Sequence, residues 1–174
     1  MKLGLGIYAG MATEENLQFA RQIGATHIVQ HLPGEETLPS TKDGYWAYDE
    51  LQALVDRIEA AELKLEAIEN FAPAHWSDVL LGGPRRDEQI ENLSKTIRNM
   101  GKAGIPVMGY YFSLAGVWGR TSGPFGRGGA ESVGFIEDEA PEQTQIPLGE
   151  VWGSRYDPNA PEGTIGKVTH EEMW

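Results

Sequence analysis

The sequence predicts an α/β protein in which parallel strands alternate with helices. Four short apolar segments begin near residues 3, 26, 63 and 105. The first three are each followed by a segment whose apolar residues repeat at the spacing of an amphipathic helix. No Asn-Gly or Asp-Gly turn connects one of these strands directly to the next, and every connection is long enough for a helix. We therefore expect parallel strands joined by right-handed crossovers.

The first unit is a strand over residues 3–8 followed by a helix. Thr13 stands where its hydroxyl group can cap the helix N-terminus. Glu14 and Glu15 follow in the first turn, where the helix dipole favours negative charge. Gly24 supplies the C-terminal stop, and the second strand covers residues 26–30.

Two further strands and two further helices follow in the same alternation. The second helix covers residues 48–61, and its apolar face contains Leu51, Leu54, Val55 and Ile58. A strand at residues 63–68 precedes a third helix, for which Pro84 is suited to the first position. We expect this helix to face the core with an apolar stripe made of Ile90, Leu93, Ile97 and Met100. The fourth strand lies within residues 105–112.

The last third of the chain differs in composition from the rest. Residues 122–167 are rich in Gly, Pro, Glu and Asp, which predicts an insertion that serves as a lid or an interface arm. A capping box at residues 169–172 begins another helix only two residues before the sequence ends, so we expect a longer protein. We interpret residues 1–174 as a single partial domain. Its units fit either an open sheet or half of an eight-stranded barrel.

Composition and motifs exclude several classes of function. Fourteen Lys and Arg against 26 Asp and Glu give a net charge of −12, so neither nucleic acid nor a membrane surface is an expected partner. There is no signal peptide and no apolar run of about 18 residues, and we expect a cytoplasmic protein. The absence of cysteine excludes a disulfide or thiolate metal site within these residues. No Gly-x-Gly-x-x-Gly follows the first strand, which disfavours a dinucleotide-binding fold.

Polar residues collect where the predicted strands end. Since the carboxyl ends of parallel strands share one edge of a sheet, a ligand site is expected there. The candidate substrate-binding residues are His31 after the second strand, Glu69 and Asn70 after the third, Tyr110 at the fourth, and Trp118, Arg120 and Arg127 in the loop beyond it.

The chemistry of these residue types suits a polyhydroxy acid. Glu69 can act as a base, a metal ligand or a hydroxyl acceptor, and Asn70 can both donate and accept. Arg120 and Arg127 can clamp a carboxylate, and Trp118 can pack against a sugar face. Purely structural roles remain open for each of them. No His-Glu-x-x-His, phosphate-binding loop or Gly-x-Ser-x-Gly motif is present, so residue types alone do not name a reaction.

Several segments together resemble the mannonate dehydratase family. They are GYYFSLAGVWGRTSGPFGRGGA at residues 109–130, KVTHEEMW at residues 167–174, GLGIYAG in the first strand, HLPG after the second and IENF at the end of the third. The resemblance extends over essentially the whole chain. It implies a TIM barrel of the xylose-isomerase-like type, of which this chain would hold the first four β/α units, a half barrel with a long loop insertion.

The resemblance also implies a reaction. Enzymes of this family remove water from D-mannonate to give 2-dehydro-3-deoxy-D-gluconate in hexuronate breakdown, with abstraction of the C2 proton and loss of the C3 hydroxyl. It implies a Mn²⁺ or Fe²⁺ cofactor whose ligands we expect beyond residue 174, so the isolated chain should be inactive. The catalytic acid and base are not assigned, and the candidate residues above would bind the sugar-acid substrate.

Two other functions remain open. One is a sugar isomerase or epimerase built on the same barrel. Such an enzyme acts on a neutral sugar, whereas the arginines in the loop after the fourth strand favour an acid substrate. The other is a non-catalytic half barrel used for binding or assembly. In either case unpaired strand edges and uncovered apolar faces favour association, so we expect a homo-oligomer.

Overall fold

A computed structural model of the chain describes residues 1–8, 10–111, 120–139, 150–151, 154–155, 158–160 and 167. The chain divides into two compact units, Met1–Phe112 and Ser113–Trp174. The four predicted strands all lie in the first unit. Trp118 and the predicted helix start at residues 169–172 lie outside the described residues.

The first unit contains a four-stranded sheet in the order β1-β2-β3-β4. All three neighbouring pairs are parallel, which confirms the predicted topology and excludes the strand order of a dinucleotide-binding fold. The strands are β1 at Gly4–Ile7, β2 at His27–His31, β3 at Lys64–Glu69 and β4 at Val107–Gly109.

Four helices accompany these strands: α1 at Glu14–Gln22, α2 at Tyr48–Ala60, α3 at Ser77–Leu81 and α4 at Arg86–Lys102. The predicted N-cap is confirmed, because the Thr13 hydroxyl oxygen accepts a hydrogen bond of 3.2 Å from the backbone N–H of Asn16. The short helix α3 was not predicted from the sequence. In the described ranges, no helix has the length and apolar content needed to cross a membrane.

The two faces of the sheet differ in burial because successive side chains of a strand point in opposite directions. One face is covered, and its middle row of Ile7, Gln30 and Ile68 is buried together with the apolar face of α2. The opposite face, here called the open face, carries the neighbouring positions of each strand. Gly6 and Val107 are exposed there, Val107 to 46%. The core therefore lies between the covered face and the helices.

A β-bulge in β3 sets which residues reach each face. Ile28 pairs with Leu65, but the next residue of β2, Val29, pairs with Ala67. Glu66 is thus one extra residue in β3. After the bulge, Ile68 joins the covered face and Glu69 joins the open face beside His31.

The predicted apolar stripe of α4 is wrong at two positions. Ile90 is 39% exposed and Ile97 is 55% exposed, whereas Gln89, Thr96 and Met100 are buried. The buried polar groups bond to loop backbone: the Gln89 side-chain oxygen accepts from the N–H of Asp78 at 2.9 Å, and the Thr96 hydroxyl accepts from the N–H of Trp46 at 3.0 Å. These long-range hydrogen bonds, rather than hydrophobicity, select the face that α4 turns inward.

The second unit contains two antiparallel hairpins among its described residues. Strand β5, Thr121–Gly123, pairs with β6, Ser132–Gly134, and β7, Glu150–Val151, pairs with β8, Ser154–Arg155. The Phe125 ring lies against two glycines of the first hairpin. A Cβ atom at Gly123 or Gly134 would come within 2.9 and 2.8 Å of that ring, so the glycines make room for it.

Candidate functional site

Three of the predicted residues come together at the C-terminal edge of the sheet. His31, the last residue of β2, is in register with Glu69, the last residue of β3. Glu69 is in turn in register with Gly109 at the end of β4. On the other side of His31, the Tyr8 ring lies with its centroid 4.6 Å from that of the imidazole. We refer to Tyr8, His31, Glu69 and Asn70 as the rim.

The backbone at the rim adopts a conformation that L-residues rarely take. Leu32 and Asn70, which directly follow β2 and β3, have φ of 40° and 69°. Their backbone N–H groups still continue the sheet, since Leu32 donates to the Glu69 carbonyl at 2.7 Å and Asn70 donates to the Gly109 carbonyl at 2.9 Å. Left-handed residues held in this way concentrate at ligand sites, where neighbouring structure compensates for the strain.

The side chains of His31 and Asn70 are joined by a hydrogen bond. Asn70 Nδ2 lies 3.1 Å from His31 Nε2. The other imidazole nitrogen, Nδ1, is buried and has no hydrogen-bond partner among the described residues. The rim therefore holds a histidine with one nitrogen engaged and one unsatisfied.

Glu69 supplies a carboxylate at the centre of the rim. Its side chain is exposed and forms no hydrogen bond or ion pair within the part of the chain that the structure describes. A Cβ atom at Gly109 would lie 3.4 Å from Glu69 Cγ, so the glycine leaves the Glu69 side chain free to lie over β4. Tyr110 follows Gly109 and is 71% exposed. A carboxylate in this position can accept hydrogen bonds from the hydroxyl groups of a ligand.

An aromatic cluster supports the loop that follows Asn70. Trp46 stacks on Phe71 with ring centroids 4.8 Å apart, and His75 lies 5.8 Å from Phe71. Trp76 Nε1 donates to the Phe71 carbonyl at 3.2 Å. Burial lowers the pKa of His75 below its ordinary value, and its Nδ1–H donates to the Ala72 carbonyl at 3.2 Å. The sequence analysis missed this support, although Phe71 directly follows the two predicted rim residues.

Arg120 and Arg127 lie in the second unit. Arg120 directly precedes β5, and Arg127 lies in the loop between β5 and β6. Both are exposed and neither forms an ion pair within the described ranges. Gly128 beside Arg127 has φ of 72°, a value that favours glycine. Trp118, the remaining predicted residue, is outside the described residues.

The rim does not have the donors of a complete metal site. Among the residues that the structure describes, no group of three or more His, Cys, Asp or Glu side chains is placed to hold a metal ion. His31 and Glu69 are two such side chains in register, and one nitrogen of His31 is already bonded to Asn70.

Comparisons with known proteins agree on one family. The family model described as D-mannonate dehydratase (UxuA) matches residues 1–146. A mannonate dehydratase of Thermotoga maritima is 46% identical over 76 residues, which are 44% of this chain and 21% of that protein. Mannonate dehydratase 2 of Halalkalibacterium halodurans is 27% identical over 158 residues, covering 84% of this chain and 45% of that protein.

A solved structure leads to the same family. The crystal structure of mannonate dehydratase from Streptococcus suis serotype 2 matches with a TM-score of 0.61 and 28% identity, over 80% of this chain and 38% of that chain. In each of these comparisons the match spans less than half the length of the relative.

Proposed function

Because the chain belongs to the D-mannonate dehydratase family, we propose that it forms the substrate-binding part of a lyase that acts on D-mannonate. The reaction breaks the C2–H and C3–O bonds of the sugar acid, releases water and leaves 2-dehydro-3-deoxy-D-gluconate after the enol returns to the ketone. The observation that carries the proposal is the juxtaposition of His31, Glu69 and Asn70 at the C-terminal edge of a parallel sheet in a chain of this family.

The rim is suited to hold the hydroxyl groups of the substrate. Glu69 accepts hydrogen bonds from them, and Asn70 and Tyr110 supply further polar groups beside it. Arg120 and Arg127 are the residues that we propose for the substrate carboxylate, since a guanidinium group can form two parallel hydrogen bonds with a carboxylate. Trp118 provides an apolar wall for the carbon chain. All of these are binding roles, and the catalytic acid and base remain unassigned.

The metal of the complete enzyme, Mn²⁺ or Fe²⁺, would acidify the C2 proton by withdrawing electrons from the carboxylate. We propose that its ligands come from residues other than those described, since the described residues contain no suitable cluster. In the same way, the four-stranded sheet represents half of an eight-stranded barrel, in which β1 and β4 pair with further strands. The enzyme would work in the cytoplasm, in hexuronate breakdown, as a homo-oligomer.

Binding and turnover by the 174-residue chain test this proposal. The chain should bind D-mannonate more tightly than the neutral sugar D-mannose, as measured by calorimetry, because two arginines meet the carboxylate. It should release no 2-keto acid with or without added Mn²⁺. Metal-dependent turnover by this chain would show that binding is not its whole contribution.

Arg120→Ala provides the sharper arm of the experiment. This substitution should weaken the binding of D-mannonate on the order of tenfold, as expected for the loss of one charged hydrogen-bonding group. The binding of D-mannose should hardly change. Arg98→Ala is the matched control, because Arg98 is an exposed arginine of α4 that pairs with Glu91. An equal loss for both ligands would assign Arg120 to a structural role.

A further inference from the structure

The pairing of His31 with Asn70 fixes the position of the imidazole proton. Asn70 Nδ2 faces His31 Nε2 at 3.1 Å. An amide nitrogen only donates, so Nε2 has to accept with its lone pair. A neutral imidazole whose Nε2 accepts carries its proton on Nδ1. The geometry thus selects one of the two tautomers.

The nitrogen that carries the proton has no acceptor. His31 Nδ1 is buried without a partner among the described residues, and a buried donor left in this state destabilises the structure. The Tyr8 ring lies against the imidazole, yet Tyr8 is 61% exposed. A ligand oxygen within hydrogen-bond distance of Nδ1 would satisfy the donor.

We infer that Asn70 is a positioning residue that holds His31 in the Nδ1–H tautomer, so that Nδ1–H donates to an oxygen atom of the bound sugar acid. The identity of the ligand rests on the proposed function, whereas the tautomer rests on the geometry alone. His31 then recognises the substrate as a hydrogen-bond donor. It is not a base, because its only lone pair is engaged by Asn70.

The backbone explains why asparagine suits position 70. Its φ of 69° lies in the left-handed region, which Asn and Asp tolerate better than other side chains. Its backbone N–H is anchored to the Gly109 carbonyl, which fixes where the side chain begins. Asp would keep this backbone but could only accept a hydrogen bond, so it requires the proton on Nε2. Asn70→Asp therefore reverses the tautomer without changing the shape of the side chain.

Nitrogen NMR shifts of the histidine side chains test the tautomer in the unliganded chain. The measurement is made at about pH 8.5. Wild-type His31 should show the proton on Nδ1, Asn70→Asp should move it to Nε2, and Asn70→Gly should leave a mixture while relaxing the backbone. His75 is the internal control, because its Nδ1–H donates to Ala72 and should not respond. A wild-type His31 with its proton on Nε2 overturns the inference, even if every variant fails to fold.

Titration with D-mannonate tests the ligand contact. The His31 Nδ1 resonance should shift when D-mannonate binds. Asn70→Gly should weaken D-mannonate binding roughly fivefold, which is the contribution of one ordinary hydrogen bond. Binding that leaves His31 Nδ1 unshifted overturns this inference while the proposed function stands. If D-mannonate perturbs no resonance of the chain, the ligand contact and the proposed function both fail.

Discussion

At the N-terminal end of the parallel sheet polar side chains bond to one another, whereas at the C-terminal end two polar groups have no partner among the described residues. Glu66 forms an ion pair with Lys2 and lies 3.5 Å from His27 Nε2, and His27 Nδ1 lies 2.7 Å from the Thr26 hydroxyl oxygen. At the other end, the Glu69 carboxylate is unpaired within the described ranges and His31 Nδ1 is unsatisfied.

This difference shows how one sheet separates stability from recognition. Polar groups at the N-terminal end satisfy one another and tie β1, β2 and β3 together. Those at the C-terminal end are oriented by left-handed backbone and keep free hydrogen-bonding capacity for a ligand. The division matches that of α/β barrels, whose ligands bind at the carboxyl ends of the strands. The predictions below test it, beginning with the layer that both ends share.

The largest loss of stability should come from the covered face between the two ends. Ile28 is fully buried, so Ile28→Ala should lower the free energy of unfolding by about 2–5 kcal/mol. Val107→Ala, on the open face at 46% exposure, should cost less than about 1 kcal/mol. Urea unfolding of both variants measures the difference. Equal losses would show that the open face is covered in solution.

Relief of backbone strain should change the stability less than the loss of a core side chain. Its effect on D-mannonate binding should depend on whether the strained residue lies beside the rim. Glu62 has φ of 59° and lies at the end of α2, outside the rim. Glu62→Gly should raise stability by roughly 0.5–1 kcal/mol and leave D-mannonate binding unchanged.

Leu32→Gly should also relieve the strain of a left-handed residue. It should nevertheless weaken the binding of D-mannonate, because the backbone beside the rim is no longer held in a fixed shape. Thermal unfolding and calorimetry on the two glycine variants decide the matter. If Leu32→Gly binds D-mannonate as tightly as the wild type, the strain at the rim has no part in recognition.

Acid should weaken the C-terminal end before the N-terminal end. Burial lowers the folded-state pKa of His75 below 6.5, so its contribution is complete above pH 6.5 and is lost as the pH falls below that value. The hydrogen bond from Lys2 lowers the pKa of Glu66 below 4.5, so its contribution is lost only at still lower pH. Urea unfolding followed from about pH 8 to about pH 4 should show the first decline just below pH 6.5. His75→Gln should remove that decline and keep the later one.

The smallest effect should come from the ion pair at the N-terminal end. Lys2 is 62% exposed, and an exposed pair contributes little and is screened by salt. Lys2→Ala should lower the urea midpoint slightly at low salt and not at all at high salt. A large loss that persists at high salt would mean that this end is held by charge far more strongly than its exposure indicates.

Much of the fold follows from local patterns in the sequence. Apolar segments and helical periodicity predicted four parallel strands in sequential order, and Thr13 was predicted as a cap because a hydroxyl there satisfies a nearby backbone N–H. Placing His31, Glu69 and Asn70 along one edge needed only the rule that parallel strands end together.

Long-range hydrogen bonds account for what the patterns missed. The inward face of α4 depends on Thr96 meeting the Trp46 backbone, fifty residues away, and no periodicity encodes that contact. The left-handed turn at Asn70 and its bond to His31 likewise join residues 39 positions apart. The binding roles of the candidate residues, including Trp118, remain predictions.

The bulge at Glu66 also has a consequence for how chains of this kind can change length during evolution. Because Glu66 is the extra residue of the bulge, its removal would leave Leu65, Ala67, Ile68 and Glu69 opposite the same residues of β2, with Ile68 still in the covered layer and Glu69 still at the rim. Loss of a second residue from β3 would turn Ile68 to the open face and the Glu69 carboxylate towards the helices. The strand should therefore tolerate the loss of one residue at the bulge but not of two.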